Sequence, residues 1–258
     1  KQGAPVFTTG FTAAEKLLHD CRNFGTLPFS TMARIAFIGS ILLKSLKTCG
    51  YLDSRLVEKF MMSITTPLSE IQNDVDRYLT NKISKKDFLK KYGHLRPGTY
   101  DITALPYDNE TKFFDRIKFL KQKKITSVNI DEEYISHILQ QHNLQFTQIS
   151  FLNFIKNGLI QREKLKFEFT KNLSESLELI AEAGNKMNFT RNDLAHLDIS
   201  TILKNKNKNY AKTIWKNMIK KNIERKKLNN LLISSPLIFS KKDFEILEYY
   251  ISNPNYIT

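Results

Sequence analysis

The sequence predicts an all-α fold, an irregular helical domain with one functional loop that contains glycine and proline. Three observations carry this expectation. Apolar residues recur at steps of three and four along most of the chain, period-two alternation is nearly absent, and Ser, Thr or Asp stands ahead of several apolar runs where a helix cap belongs. With 258 residues, 41% of them hydrophobic, the chain can bury a substantial core, and it reads as a single domain over residues 1–258.

The elements follow in order. Phe11 to Phe24 reads as a first helix, with Leu17, Leu18 and Cys21 on one side and Gly25 as its stop signal. Thr26-Leu27-Pro28 opens a second helix, since proline suits a first turn, and Met32, Ile35, Ile38, Leu42 and Leu46 carry it to Cys49-Gly50. Asp53 caps a third region that runs to about Asn81 and bends near Pro67. Ser84 caps a short helix that ends at Tyr92. Asn109 to Lys121, Asp131 to Gln141 and Phe146 to about Lys186 read as helices, the last open to a split at Gly158. Thr190 to Leu197, a basic segment from Asn209 to Leu232, and Ser240 to Ile251 complete the helical set. Lys123 to Ile130 is the one plausible strand, and it has no evident pairing partner.

Composition narrows the function classes. Cys21 and Cys49 are the only cysteines, too few for a disulfide framework or a cysteine-rich zinc site, so a reducing cytoplasmic setting is expected. The longest apolar stretch, Ile35 to Leu43, is nine residues. A span needs roughly 20, so no membrane partner is expected. The formal charge is +14, but ten basic residues against Glu224 alone between Lys204 and Lys227 supply +9 of it. A local basic face of this kind is a solvated surface, a dock for an acidic neighbour, or a nucleic-acid surface, with nucleic acid the least favoured of the three.

Three segments concentrate chemistry. The run Lys90-Lys91-Tyr92-Gly93-His94-Leu95-Arg96-Pro97-Gly98-Thr99-Tyr100-Asp101-Ile102 places donors, an acceptor and aromatic hydroxyls around two glycines and a proline. The glycines permit unusual backbone angles, so a rigid loop that presents polar groups is expected. Arg34 is the one charge between Arg22 and Lys44, in an apolar helix. It must reach solvent, pair with a carboxylate or meet an anionic ligand. In Gln161 to Ser174, Glu163, Lys166, Thr170 and Ser174 share one helical stripe, and Leu165, Phe169 and Leu173 share another. Glycine-rich phosphate loops are missing, and none of the five histidines pairs at i, i+4 or joins a cysteine in a ligand pattern. The chain therefore reads as a binder of substrate without a nucleotide site or metal of its own.

Gly25-Thr26-Leu27-Pro28-Phe29-Ser30, Ala33-Arg34 and Ala36-Phe37-Ile38, then Tyr92 to Ile102, then Arg162-Glu163 and Lys166 to Ser174 resemble the central region of phosphoenolpyruvate-synthase-like phosphotransferases. The Tyr-Gly-His-x-x-Pro-Gly element is also similar to one in rifampin phosphotransferases. Such enzymes join an ATP-grasp domain, a central domain and a mobile domain whose histidine is phosphorylated from ATP. The resemblance extends to the glutamine kinases of capsule phosphoramidate biosynthesis. It implies a central domain that binds the acceptor, with L-glutamine phosphorylated on its amide nitrogen and with ATP and magnesium handled by the complete enzyme. The ATP-grasp and phosphohistidine domains are then partners within the same enzyme, the residues from Ser252 onward lead into a following domain, and this domain alone is inactive. On that reading His94, Arg96 and Asp101 are the expected catalytic residues. Thr26, Arg34, Tyr92, Tyr100, Arg162, Glu163, Lys166 and Thr170 are expected to bind substrate.

Overall fold

The computed structural model describes residues 6–110, 114, 130–144, 148–234, 239–244 and 247–249, and among them the fold is all-α. The helices are α1 (Val6–Asp20), α2 (Leu27–Thr48), α3 (Ser54–Ser63), α4 (Pro67–Leu79), α5 (Lys85–Tyr92), α6 (Glu132–Gln141), α7 (Gln148–Lys186), α8 (Arg191–Leu194), α9 (Ile199–Asn205) and α10 (Ala211–Asn229). The expected Asn109 to Lys121 helix and the Lys123 to Ile130 strand fall almost entirely outside the described residues. The chain divides into two compact units, one formed by Lys1–Thr12 with Leu179–Thr258 and the other by Ala13–Glu178.

Local chemistry explains most boundaries. Asp53 accepts from the Arg55 amide, Ser84 from Asp87 and Asp131 from Tyr134, each cap satisfying an amide that has no partner within its helix. Thr66 and Thr190 form reciprocal capping boxes with Ser69 and Asp193. At Pro67 the chain breaks into two helices where a bend was expected, because Thr66 takes an extended conformation ahead of the proline.

Gly25 does not stop a helix. The chain passes from α1 into α2 through a π-helical turn, Cys21–Thr26, in which the Leu27 amide reaches back to the Arg22 carbonyl. Pro28 supplies the cause: a proline inside a helix removes one amide and crowds the carbonyl four residues earlier, and the wider turn relieves both. The stretch Thr9–Thr48 is thereby one helical run, long and apolar enough by length and composition to cross a membrane, with 17% of its most apolar window buried. The nine-residue stretch seen in the sequence understates it, because isolated polar residues interrupt the apolar run without ending the helix.

Within the Ala13–Glu178 unit, α2 and α7 pack at close range through small residues. A Cβ on Gly39 would stand 3.2 Å from the Ile155 Cα, and one on Gly158 would stand 3.4 Å from the Ala36 Cα. Gly158 therefore seats a neighbour and leaves α7 unbroken over 39 residues. Leu43, Leu46, Ile135, Leu139, Phe151 and Ile155 form the core around this crossing. Ile38, expected on the buried stripe of α2, is exposed, because the close crossing turns Ala36, Gly39 and Leu43 inward. The other unit is centred on Trp215, which is fully buried with the rings of Phe11 and Phe189 at 5.3 and 5.7 Å.

The expected helix over Ser240 to Ile251 is not formed. Lys241–Phe244 is a single 3-10 turn, and β2 (Leu247–Tyr249) pairs antiparallel with β1 (Leu232–Ser234), Ile233 opposite Glu248. The partner strand lies about fifteen residues upstream, where helical spacing within the segment carries no trace of it.

Candidate functional site

The loop after α5 is held by one buried guanidinium. Arg96 donates to the carbonyl of Ala104 at 2.9 Å, to the carbonyl and hydroxyl of Ser174 at 3.0 and 2.7 Å, and to Glu178 at 3.2 Å. Its side chain is 1% exposed. Five planar donors suit a cage of carbonyls and a carboxylate, and burial without such partners would be costly. The expected catalytic role of Arg96 meets a side chain already engaged with the protein on several sides. What it does visibly is tie the loop to α7 through Ser174 and Glu178.

Gly93 and Gly98 serve space where unusual backbone angles were expected. Gly93 is α-helical, and Gly50 is the only described glycine with positive φ. A Cβ on Gly93 would fall 2.5 Å from the Leu89 carbonyl oxygen and 3.1 Å from the Asp108 side chain. On Gly98 it would stand 2.8 Å from the Asp101 Cβ, so the loop closes too tightly for a side chain at either position.

Asp101 is exposed, and its carboxylate accepts from the amide and hydroxyl of Thr103 at 2.8 and 2.7 Å. These bonds hold its pKa below the ordinary value, which makes it a poor proton acceptor. His94 lies edge-on to Phe167 at 4.9 Å, with Nε2 buried and without a hydrogen-bond partner among the described residues. Burial, helped by the Lys171 charge, lowers its pKa to about 4 against weaker opposing contributions from the Phe167 backbone and Glu168. His94 is accordingly neutral near pH 7.

Tyr92 is buried, and its hydroxyl donates to Asp74 at 2.8 Å. Lys91 donates to the same carboxylate at 3.0 Å and pairs with Glu70 at 3.2 Å. Burial raises the Tyr92 pKa to about 12, with Asp74 adding to the rise and Lys91 opposing it. For Asp74, burial works upward, but the bonds from Lys91, Tyr92 and Arg77 outweigh it and the net shift is down.

Beside this network lies an open cleft of about 510 Å³, lined by Glu70, Asp87, Lys90, Lys91, Tyr92 and, from α7, Lys164, Phe167, Glu168 and Lys171. Lys171 is paired with Glu168, whereas Lys90 and Lys164 are exposed and form no ion pair among the described residues. Four ammonium groups and three carboxylates thus face one concavity of ordinary ligand size. Among the described residues no group of three His, Cys, Asp or Glu side chains could hold a metal ion.

The expected binding residues divide accordingly. Tyr92 lines the cleft. Tyr100 is 71% exposed, and Arg162 is engaged with Glu163. Thr170 is buried and donates to the Phe167 carbonyl at 2.9 Å, and Lys166 is exposed, each outside the cleft lining. Thr26 sits on the π turn and donates to the Cys21 carbonyl at 3.3 Å. Arg34 takes the solvent option, exposed on α2 with no ion pair among the described residues. Of the cleft residues that sequence reasoning passed over, Lys164, Phe167, Glu168 and Lys171 lie at helical spacing, a pattern shared with any solvated helix face. No protein-family model matches the chain, no curated protein matches it, and no solved structure matches it.

Proposed function

We propose that this chain is the acceptor-binding domain of an ATP-dependent phosphotransferase, with the acceptor held in the cleft between α5 and α7 and the phosphoryl group delivered by a phosphohistidine on a separate domain. One observation carries the reading: two of the three family-like segments, over seventy residues apart, contribute Tyr92 from one and Phe167, Glu168 and Lys171 from the other to a single cleft. Its mixed charge suits a small zwitterion. Lys90 and Lys164 match a carboxylate and Glu70 or Glu168 an ammonium, and L-glutamine is the first acceptor to test on the strength of the resemblance.

The supporting chemistry is binding and orientation. His94 and Asp101, both with lowered pKa values, are weak bases in this state, and Arg96 shapes the loop that carries them. ATP and magnesium belong to the complete enzyme on this reading, and so does catalytic turnover. The cytoplasmic setting is part of the same proposal.

The test is a thermal-shift titration of the 258-residue chain with L-glutamine, L-glutamate and D-glutamine. Saturating stabilisation by L-glutamine, lost in Lys90→Glu and Lys164→Glu, supports the reading, since a ligand at one hundred times its Kd adds about 2.7 kcal/mol. Indifference to all three compounds removes the amino-acid acceptor.

A further inference from the structure

The basic helix α10 lies outside the cleft and the acceptor-binding reading leaves it unused. Its inner face is set by Ala211, Trp215 and Ile219, all buried. Lys212, Lys216 and Lys220 follow at steps of four and Lys227 at a further seven, so the four ammonium groups share one stripe. Lys216, Lys220 and Lys227 are exposed and Lys212 is partly so. From first to last the stripe covers about 22 Å of helix, at 1.5 Å per residue. At the Lys212 end, Tyr210 is 57% exposed, with the Lys208 ammonium 5.6 Å from its ring centre. Glu224 is the only acid on the helix.

We infer that this face binds single-stranded nucleic acid, the lysine stripe following the phosphate backbone and Tyr210 stacking on a base. An acidic polypeptide would satisfy the lysines alone. The solvent-facing aromatic ring at the N-terminal end of the same helix is the feature that favours a nucleic acid, whose bases stack on such rings whatever their sequence.

The test is fluorescence anisotropy of the whole chain with a labelled twelve-nucleotide oligothymidylate, repeated with polyglutamate as competitor and with phosphatidylserine vesicles. Four phosphates neutralised on a single strand give a slope of log Kobs against log salt of roughly −3, or about a 60-fold loss from 50 to 200 mM salt. Lys216→Gln with Lys220→Gln should reduce the slope to roughly −1.5. Tyr210→Ala should weaken binding about fivefold or more and leave the slope unchanged. Circular dichroism and melting temperature establish that these surface variants remain folded. No binding at 50 mM salt, equal binding by the lysine variant, or an unaltered affinity in Tyr210→Ala overturns the inference. Stronger retention on polyglutamate or on the vesicles overturns it in favour of that partner.

Discussion

Gly25 lies directly against Phe169: a Cβ at Gly25 would stand 2.3 Å from the Phe169 Cβ and 3.0 Å from its Cγ. The contact is cemented by the buried Cys21 thiol, whose Sγ lies 3.7 Å from the Phe169 carbonyl, and by the Phe29 ring at 5.6 Å from that of Phe169. The π turn thus brings its own backbone onto α7. Gly25→Ala gains about 1 kcal/mol of helical propensity. The clash outweighs it, because the Phe169 Cβ is fixed by its backbone and no rotamer moves it. A net loss of about 1–3 kcal/mol is expected, as for overpacked cores, read as a lower urea midpoint with unchanged m-value. Phe169→Gly in the same background, which removes the Cβ itself, should recover part of the loss from Gly25→Ala, a coupling that a simple backbone effect would not produce.

Arg96 has the larger predicted effect. Arg96→Ala leaves the Ser174 hydroxyl and the Glu178 carboxylate without their guanidinium and should destabilise the fold by about 3–5 kcal/mol, the range for breaking a buried pair. Arg96→Lys keeps the charge but cannot form the fork, so it should fall between the two. Limited proteolysis offers an independent readout, with new cleavage expected within residues 96–104. A fully stable Arg96→Ala protein would mean that the loop is held by something other than this cage.

Much of the fold is legible in the sequence because its signals are local. Asp53, Ser84, Asp131 and Thr190 cap helices where their spacing places them, and the 39-residue α7 follows from its own periodicity. Other features depend on partners far along the chain. Gly25 carries the same letter whether it ends a helix or seats Phe169, and Ser174 looks solvated on a helical wheel although the Arg96 loop covers it. The site is legible as a pair of segments and illegible residue by residue. Local sequence cannot say whether Arg96 faces a ligand or a cage closed by Ser174, 78 residues away.

The pH dependence has a definite sign at His94. Its folded pKa, about 4, lies below the ordinary 6.5, so protons bind the unfolded chain more readily. The stability that neutral His94 contributes is complete above pH 6.5 and is lost as the pH falls toward 4. Urea midpoints of the native chain and of His94→Gln should therefore converge as the pH is lowered through that window. A constant difference between them from pH 7 to pH 4.5 would show that the imidazole titrates normally.

Tyr92→Phe separates the structural and binding roles of the cleft wall. The substitution keeps the ring against Phe88 at 4.9 Å and Phe167 at 6.0 Å and removes only the hydroxyl that donates to Asp74. Because Lys91 and Arg77 still satisfy that carboxylate, the loss should sit near the lower end of a charged hydrogen bond, about 1.5 kcal/mol. Asp74→Asn has the opposite balance. It leaves the Tyr92 hydroxyl an acceptor but deprives Lys91 of its closest charge, freeing the ammonium toward Glu70 and the cleft. If the cleft holds the carboxylate of a zwitterion, Asp74→Asn should bind L-glutamine at least as well as the native chain while melting at a lower temperature, and Tyr92→Phe should bind it unchanged. Calorimetric titration beside thermal melts decides the matter. Parallel losses of affinity and stability in both variants would place the ligand elsewhere and leave the Tyr92, Asp74 and Lys91 network as a purely structural brace between α4 and α5.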